Sequence, residues 1–593
     1  MAVSWAHVLT WETGPLDSIA SDLLEASKGL REAYESGDTV VWSVRSKGEA
    51  VTTMQATTIC NLASLDSALT NVNGALMAIE AARDGVGSIM ADINEAKAFA
   101  ALHGCTINSN GGVTAIEEGK RYITPLANNV RAILEKANQV DTTLAEALAS
   151  INTDRYTDGD RGSNKVVGIP DVPQANWSPS QNAAWWNSLP EERKKFLIDH
   201  CPDDIRHLDG LPAAARDQAN RNALEGYVDA NGKKHQGALK DAEQALEQAQ
   251  LAYDIADKKQ ANNKADGYVA AAKADAQIEL ERAKAAYEDL KAIREQTAND
   301  VRASKGLAPA YLLDFNYDKD YHRTTAIVSS GNPDTATHVS TLVPGIGTNV
   351  RGDLAKYVAA NDRLRAQTAH AGVDPNNVAT ISYLGYVAPK NDGLNNIQAA
   401  DIGYANRAAP GLARFEEGLR ANAEANHHKF TNTLVTHSYG STTGGKAAAL
   451  MAPGTVDRLI LSGSPGGGVQ SIDEYNVPRE HVYESSIPEG DAVQGVGPDQ
   501  YYGKNPRHLE GITHLSGDAT DAKDYWHPLP EDVDDNTRLS NALTHAIANH
   551  MLYFEDGTRT SQDFANIIAG GNPTTDEEWA AIKAARAKEN NGH

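Results

Sequence analysis

The sequence predicts an α/β chain in two parts. A mostly parallel β-sheet flanked by helices fills the C-terminal half, and a long all-α region with an antiparallel helical hairpin precedes it. Three observations predict this. From about residue 310, short β-branched runs alternate with helix-period stretches, the pattern of strands joined by crossover helices. Before that point, apolar residues recur at helical spacing. Residues 239–256 step apolar or small positions by three and four in alternation, which is the seam of a helix pair.

At 593 residues the chain is too long for one ordinary core. Hydrophobic residues make up 41% and charged ones 22%, so cores can be buried. Lys plus Arg number 54 against 79 Asp plus Glu, a net charge of −25. Such a surface repels phosphate backbones and anionic lipid heads, which argues against nucleic-acid partners. No apolar run approaches the roughly 18 residues of a membrane span, so no transmembrane segment is expected. The opening MAVSWAHVLTWETG lacks a basic stretch followed by an apolar one, so the chain is expected to be cytoplasmic or exported without a standard signal peptide. Cys60, Cys105 and Cys201 lie far apart with no CxxC. They read as free or buried thiols, with a Cys60–Cys105 disulfide as the alternative.

Residues 1–153 read as a helical bundle, with Leu16, Ile19, Leu23, Leu24 and Leu30 on one stripe, a break near 37–42 and a second run over 46–102. CTINSNGGVT suggests a small hairpin before a further helix at 114–153. Residues 154–180, polar and rich in Gly and Pro, read as a linker. In the helical segment 181–234, Ser188 to Glu191 suggests a capping box opening a helix through Ile198. Over 235–304, Leu239, Ala242, Leu246, Ala249, Tyr253 and Ala256 form one seam and Leu280, Ala283, Tyr287 and Leu290 the other, with the turn at 261–267. The remainder, 308–593, is the expected catalytic domain. Its strands fall at 311–315, 324–329, 338–343, 378–386, 431–437, 456–463 and 481–486, its helices at 350–371, 397–427 and 441–452, and the first two strands pair as an antiparallel edge hairpin.

Chemistry concentrates at Thr436-His437-Ser438-Tyr439-Gly440. A strand-like run precedes it and a helix of small residues follows, the context of a sharp turn that exposes a serine nucleophile. The pattern departs from G-x-S-x-G at Thr436. A serine needs a base oriented by an acid, and in this chain order the acid precedes the base. Asp491, in a turn after a strand, is the candidate acid, with Glu489 as rival. His550 is the candidate base among His508, His514, His527, His545 and itself. Oxyanion donors are expected from the N–H of Tyr439 and, in the loop VPGIGTN, of Ile346 or Gly347. Gly466-Gly467-Gly468 lacks the Lys-Ser/Thr of a phosphate loop and no HExxH occurs, so no cofactor and no metal are expected.

The stretches LVPGIGTNV, ISYLGYVAP, THSYGS, LSGSPGGG, EGDAV and HMLYF with FANIIAG together resemble an actinobacterial family of α/β-hydrolases of unknown function. Residues 185–221 are similar to the helical segment that precedes the hydrolase domain in such proteins, so the likeness covers about 175–570. The resemblance implies the α/β-hydrolase fold and supports Ser438, Asp491 and His550 as the triad, separating His550 from His545. The first 153 residues are similar in size and pattern to the WxG-type helical hairpins of type VII secretion substrates, although Trp42 is followed by Ser-Val-Arg. Tyr-x-x-x-Asp patterns at Tyr34/Asp38 and Tyr156/Asp160 would suit that export route. The reading is therefore a serine hydrolase that cleaves a small-molecule ester, a lipid or acyl ester by fold analogy. The alternative is a secreted or cell-surface interaction or structural protein that uses the hydrolase fold as a platform. In either case the 235–304 hairpin could bind a helical partner or a second copy through its seam.

Overall fold

The computed structural model describes residues 3–43, 49–151, 177–189, 191–262, 267–390, 402–487, 491, 493, 498–527 and 548–590. The chain divides into two compact units, Met1–Pro190 and Glu191–His593. Among the described residues no helix is long and apolar enough to cross a membrane.

Among the described residues of the first unit are three long helices: α1 (Gly14–Ser43), α2 (Glu49–Leu102) and α3 (Ile123–Ile151). No proline interrupts the 54 residues of α2, so no rung of its hydrogen-bond ladder is lost. Ile89, Ile93 and Ala96 of α2 meet Leu126, Val130 and Ile133 of α3, with Trp5 and Val8 in the same core. Strands β1 (Cys105–Ile107) and β2 (Val113–Ala115) pair antiparallel across the Asn-Gly-Gly turn. Because the ribbon takes up 113–115, α3 starts at Ile123 and not near 114. α1 runs through the expected break at 37–42 to Ser43. Residues 44–48 and most of the expected linker, 152–176 with Tyr156 and Asp160, lie outside the described residues, as do the side chains of Tyr34, Asp38, Trp42 and Cys60. Cys105 and Cys201 are free thiols. A capping box does occur here, at Ser178 and Gln181, and opens α4 (Pro179–Ser188). The Ser188 side chain and Pro190 of the expected box lie outside the described residues.

In the second unit, α5 (Glu191–His200) and α6 (Ala213–Glu225) lead to a two-stranded ribbon, β3 (Tyr227–Val228) with β4 (Lys234–His235), that sequence periodicity did not reveal. Helices α7 (Ala238–Asn262) and α8 (Gly267–Gln296) pack on each other. Residues 263–266 of the expected turn lie outside the described residues. Leu239 is buried and the other seam positions of α7 are half-buried. The base of the pair packs on the sheet through Leu239, Leu290 and Ile293.

Among the described residues the sheet has eight strands: β5 (Ala310–Asp318), β6 (Arg323–Ser330), β7 (His338–Val343), β8 (Val378–Leu384), β9 (Thr431–His437), β10 (Arg458–Ser462), β11 (Val482–Ser485) and β12 (Thr513–His514). Their spatial order is β12-β11-β10-β9-β7-β8-β6-β5. Only β6 runs against the rest, pairing antiparallel with both β5 and β8. Alternate side chains feed two cores. Leu313, Ile327, Val343, Leu434 and Leu461 face α10 (Ile402–Ala425) and α11 (Tyr439–Leu450). Leu312, Val328, Leu342, Val435 and Ile460 face α9 (Val350–His370) and α12 (Arg559–Ile568). Burial on both faces is why these strands read as continuous apolar runs. The edge strand β12 is too short for any periodicity to show.

One buried acid departs from this apolar pattern. Glu416 of α10 is fully buried and accepts a hydrogen bond from Asn432 Nδ2 at 2.9 Å. Burial raises its carboxyl from the ordinary 4.5 to about 7, against the lowering effect of Asn432, Thr341 and Arg420. The folded state therefore holds a proton that the unfolded chain has lost between about pH 4.5 and 7. The resulting stability is full below the unfolded value and is lost as pH rises through the folded one, by roughly 3 kcal/mol in all. Glu416→Gln should remove that slope. Its unfolding midpoint should be close to wild type at pH 4.5 and higher than wild type at pH 8. Parallel pH profiles for the two proteins would refute the assignment.

Candidate active site

β9 ends at His437 in the middle of the sheet, between β7 and β10, and the chain turns at once into α11. Ser438 occupies the turn with φ 59° and ψ −134°, a conformation that costs an L residue on the order of 1–3 kcal/mol and concentrates at functional sites. Its N–H donates to Ser462 O at 2.9 Å, extending the β9–β10 ladder by one bond. The loop after β7 comes so close that a Cβ on Gly345 would lie 2.5 Å from Ser438 Cβ and 2.7 Å from its Oγ. Thr436, where the usual pattern has glycine, donates its Oγ1 to Ile460 O at 2.7 Å. Its methyl lies where a Cβ on Gly444 would be, 2.4 Å away. The bare Gly444 on the helix makes room for the Thr436 methyl on the strand, so the two still approach closely.

Asp491 and His550 meet. His550 Nδ1 is 2.9 Å from Asp491 Oδ1, and both side chains are buried. Val493 N–H also donates to Oδ1 at 2.9 Å and Tyr553 OH to Oδ2 at 2.7 Å. Burial alone would raise the Asp491 carboxyl. The hydrogen bond and charge of His550, then the bonds from Tyr553 and Val493, outweigh it and hold the group well below the usual carboxylate range. His550 is the second residue of a 3-10 turn, Asn549–Phe554. Its Nε2 is buried and, among the described residues, makes no hydrogen bond. Two contacts set His550 against Gly463 and against His437, the residue before Ser438. A Cβ on Gly463, next to Ser462, would lie 2.9 Å from His550 Cε1, and His437 Nε2 lies 2.7 Å from His550 O. Burial and the neighbouring His550 hold the His437 imidazole far below its usual range. It is thus neutral and donates Nε2–H to that carbonyl.

Three of the rival candidates are described. His514 on β12 bonds Glu484 at 2.9 Å, and that bond raises its pKa. His508 and His527 are exposed, and Glu489 and His545 lie outside the described residues. In the loop after β7, Thr348 Oγ1 donates to Gly345 O at 2.9 Å and Tyr386 OH to Pro344 O. Gly347 N–H donates to Pro389 O at 2.7 Å. Of the two loop donors expected from the sequence, Gly347 is therefore occupied, and Ile346 stays with the proposal below. Ile346, Ile402 and Tyr404 pack against buried Tyr439, Ala405 and Tyr502 and form an apolar wall beside the turn. Sequence reasoning missed Tyr553 and Val493. The only signal for Tyr553 was its place three residues after His550 in HMLYF. Among the described residues no group of three His, Cys, Asp or Glu side chains could hold a metal.

Residues 320–499 match the family model described as alpha/beta hydrolase, which spans β6 to the segment bearing Asp491 and includes the Ser438 turn. The sheet carries the α/β-hydrolase fold. The match supports a hydrolase and leaves the chemistry to be argued from the site. Over 454 residues the chain is 26% identical to two uncharacterized proteins of Mycobacterium tuberculosis, from strains CDC 1551 and H37Rv, covering 72% of this chain. The match spans 62% of the length of those relatives. A thermostable carboxyl esterase from Bacillus coagulans, solved in complex with glycerol, aligns over 44% of this chain and 71% of its own at 14% identity. The TM-score of that alignment is 0.17.

Proposed function

We propose that this protein is a serine hydrolase that cleaves an acyl ester through an acyl-enzyme. The observation that supports the reading is the Asp491–His550 pair at 2.9 Å, in contact with His437, which directly precedes a serine in a positive-φ strand-to-helix turn. Ser438 Oγ attacks the ester carbonyl as His550 Nε2 takes its proton. Asp491 holds Nδ1–H and stabilises the imidazolium. The N–H groups of Tyr439 and Ile346 receive the tetrahedral oxyanion. Collapse expels the alcohol, which takes the proton from His550, and water then repeats the sequence on the acyl-enzyme. The apolar wall of Ile346, Ile402 and Tyr404 favours an acyl or alkyl group next to the reacting carbonyl, and the net charge of −25 disfavours polyanionic substrates.

A fluorophosphonate probe tests the reading. The wild type should be labelled at one site and Ser438→Ala not at all. An unlabelled wild type, or equal labelling of the two, would overturn it. p-Nitrophenyl esters of increasing acyl length, with Ser438→Ala as blank, would then place the chain length that the apolar wall accepts.

A further inference from the structure

We propose that Tyr553 is a positioning residue for the acid of this site: its hydroxyl bridges Asp491 to the end of β11 and so fixes which carboxylate oxygen serves His550. The inference rests on reading Ser438, His550 and Asp491 as the triad. Tyr553 is fully buried. Its OH donates to Asp491 Oδ2 at 2.7 Å and accepts the Ile487 N–H at 3.0 Å. Ile487 lies two residues beyond β11, so the bridge ties the acid to the rigid sheet. Asp491 itself belongs to no helix or strand, and its carboxylate can rotate about its own bond. Its Oδ1 is served by His550 and Val493. Without the tyrosine, Oδ2 would lose a charge-assisted bond in a buried place, and rotation would trade His550 for another partner.

The tyrosine and the base belong to one unit. Residues three apart in a 3-10 turn lie on the same side, and Tyr553 follows His550 by three in the turn Asn549–Phe554. Their rings meet edge to face at 6.3 Å. A single Cβ on Gly463 would lie 2.9 Å from both Tyr553 Cε2 and His550 Cε1, so the two rings rest on the same bare backbone. Burial holds the phenol well above its ordinary pKa, which keeps it a donor throughout the working range. A tyrosine that only filled the core would lose nothing in rate on becoming phenylalanine. This one would lose the bridge.

The test is the rate of fluorophosphonate labelling of the full chain, which needs no knowledge of the natural substrate. The rate constant belongs to each folded molecule, and the end point counts those molecules. Tyr553→Phe should label about 10- to 100-fold more slowly, to an unchanged end point per folded molecule. The midpoint of the rise of its rate with pH should move up by about half to one unit, because the Asp491 charge loses a donor and attracts the imidazolium more strongly. In an Asp491→Asn background, Tyr553→Phe should add no further slowing. 3-Fluorotyrosine at 553, a stronger donor of the same shape, should move the midpoint down. Unchanged rate and midpoint in Tyr553→Phe, full additivity with Asp491→Asn, or no shift with fluorotyrosine would each overturn the positioning role while Asp491→Asn is itself slow. Fast labelling of Asp491→Asn, or none of the wild type, would instead sink the triad reading on which the role rests.

Discussion

Asp491→Asn is expected to lower kcat on a p-nitrophenyl ester by about four orders of magnitude while leaving KM within roughly threefold. The carboxylate accepts on both oxygens: Oδ1 from Val493 N–H and His550, and Oδ2 from Tyr553 OH. An amide has one acceptor and one donor end. Whichever way it lies, its NH2 group faces a hydrogen-bond donor or faces His550 Nδ1. In the second case the ring must carry its proton on Nε2, the nitrogen meant to receive one from Ser438. The charge that would stabilise the imidazolium is lost in either orientation. KM is spared because the Asp491 side chain is buried away from any substrate. Active sites counted by fluorophosphonate separate this loss from misfolding. A drop of less than tenfold would mean that Asp491 is not the acid.

How much of this was legible in the sequence depends on the range over which each signal acts. The strands β6 to β11 were readable because they are largely buried on both faces and so carry apolar or small runs with little solvent-side alternation, and the edge strand β5 was readable from its buried first half. The pairing of β5 with β6 was readable from the short polar loop between them. β12 and the β3–β4 ribbon were not, since two-residue strands have no period. The strand-to-helix turn at Ser438 was legible because its signal is local, a strand end, a turn and small residues. Thr436 looked like a defect, and only the bond to Ile460 O and the space at Gly444 explain it. Asp491 and His550 lie 59 residues apart in sequence, and nothing local pairs them. Chain order and the family resemblance selected them from their rivals. Tyr553, Val493 and the capture of Gly347 N–H by Pro389 O are long-range or backbone contacts, which residue types do not announce.

Gly440→Ala should reduce kcat by about 10²- to 10³-fold, the usual consequence of losing one oxyanion donor, and lower the unfolding midpoint of the domain by a few degrees. A Cβ at 440 would lie 2.3 Å from Val343 O and 2.6 Å from Pro344 O. These are backbone atoms, not the ends of flexible side chains, so either the helix must move or the Val343–Pro344 peptide, where β7 passes into the loop, must move. The helix is held at Ser438 by the ladder bond to Ser462 O and is packed into the α10 core through Ala447 and Ala448. The loop is held more lightly, by Tyr386 on Pro344 O and by the Gly347–Pro389 bond. The loop should yield, carrying the Ile346 N–H away from the Ser438 carbonyl site while Ser438, His550 and Asp491 keep their places. Fluorophosphonate labelling should therefore still reach its full end point, and ester turnover should fall. A lowered unfolding midpoint with unchanged kcat would show that Gly440 serves packing alone and that the loop supplies no donor to the oxyanion.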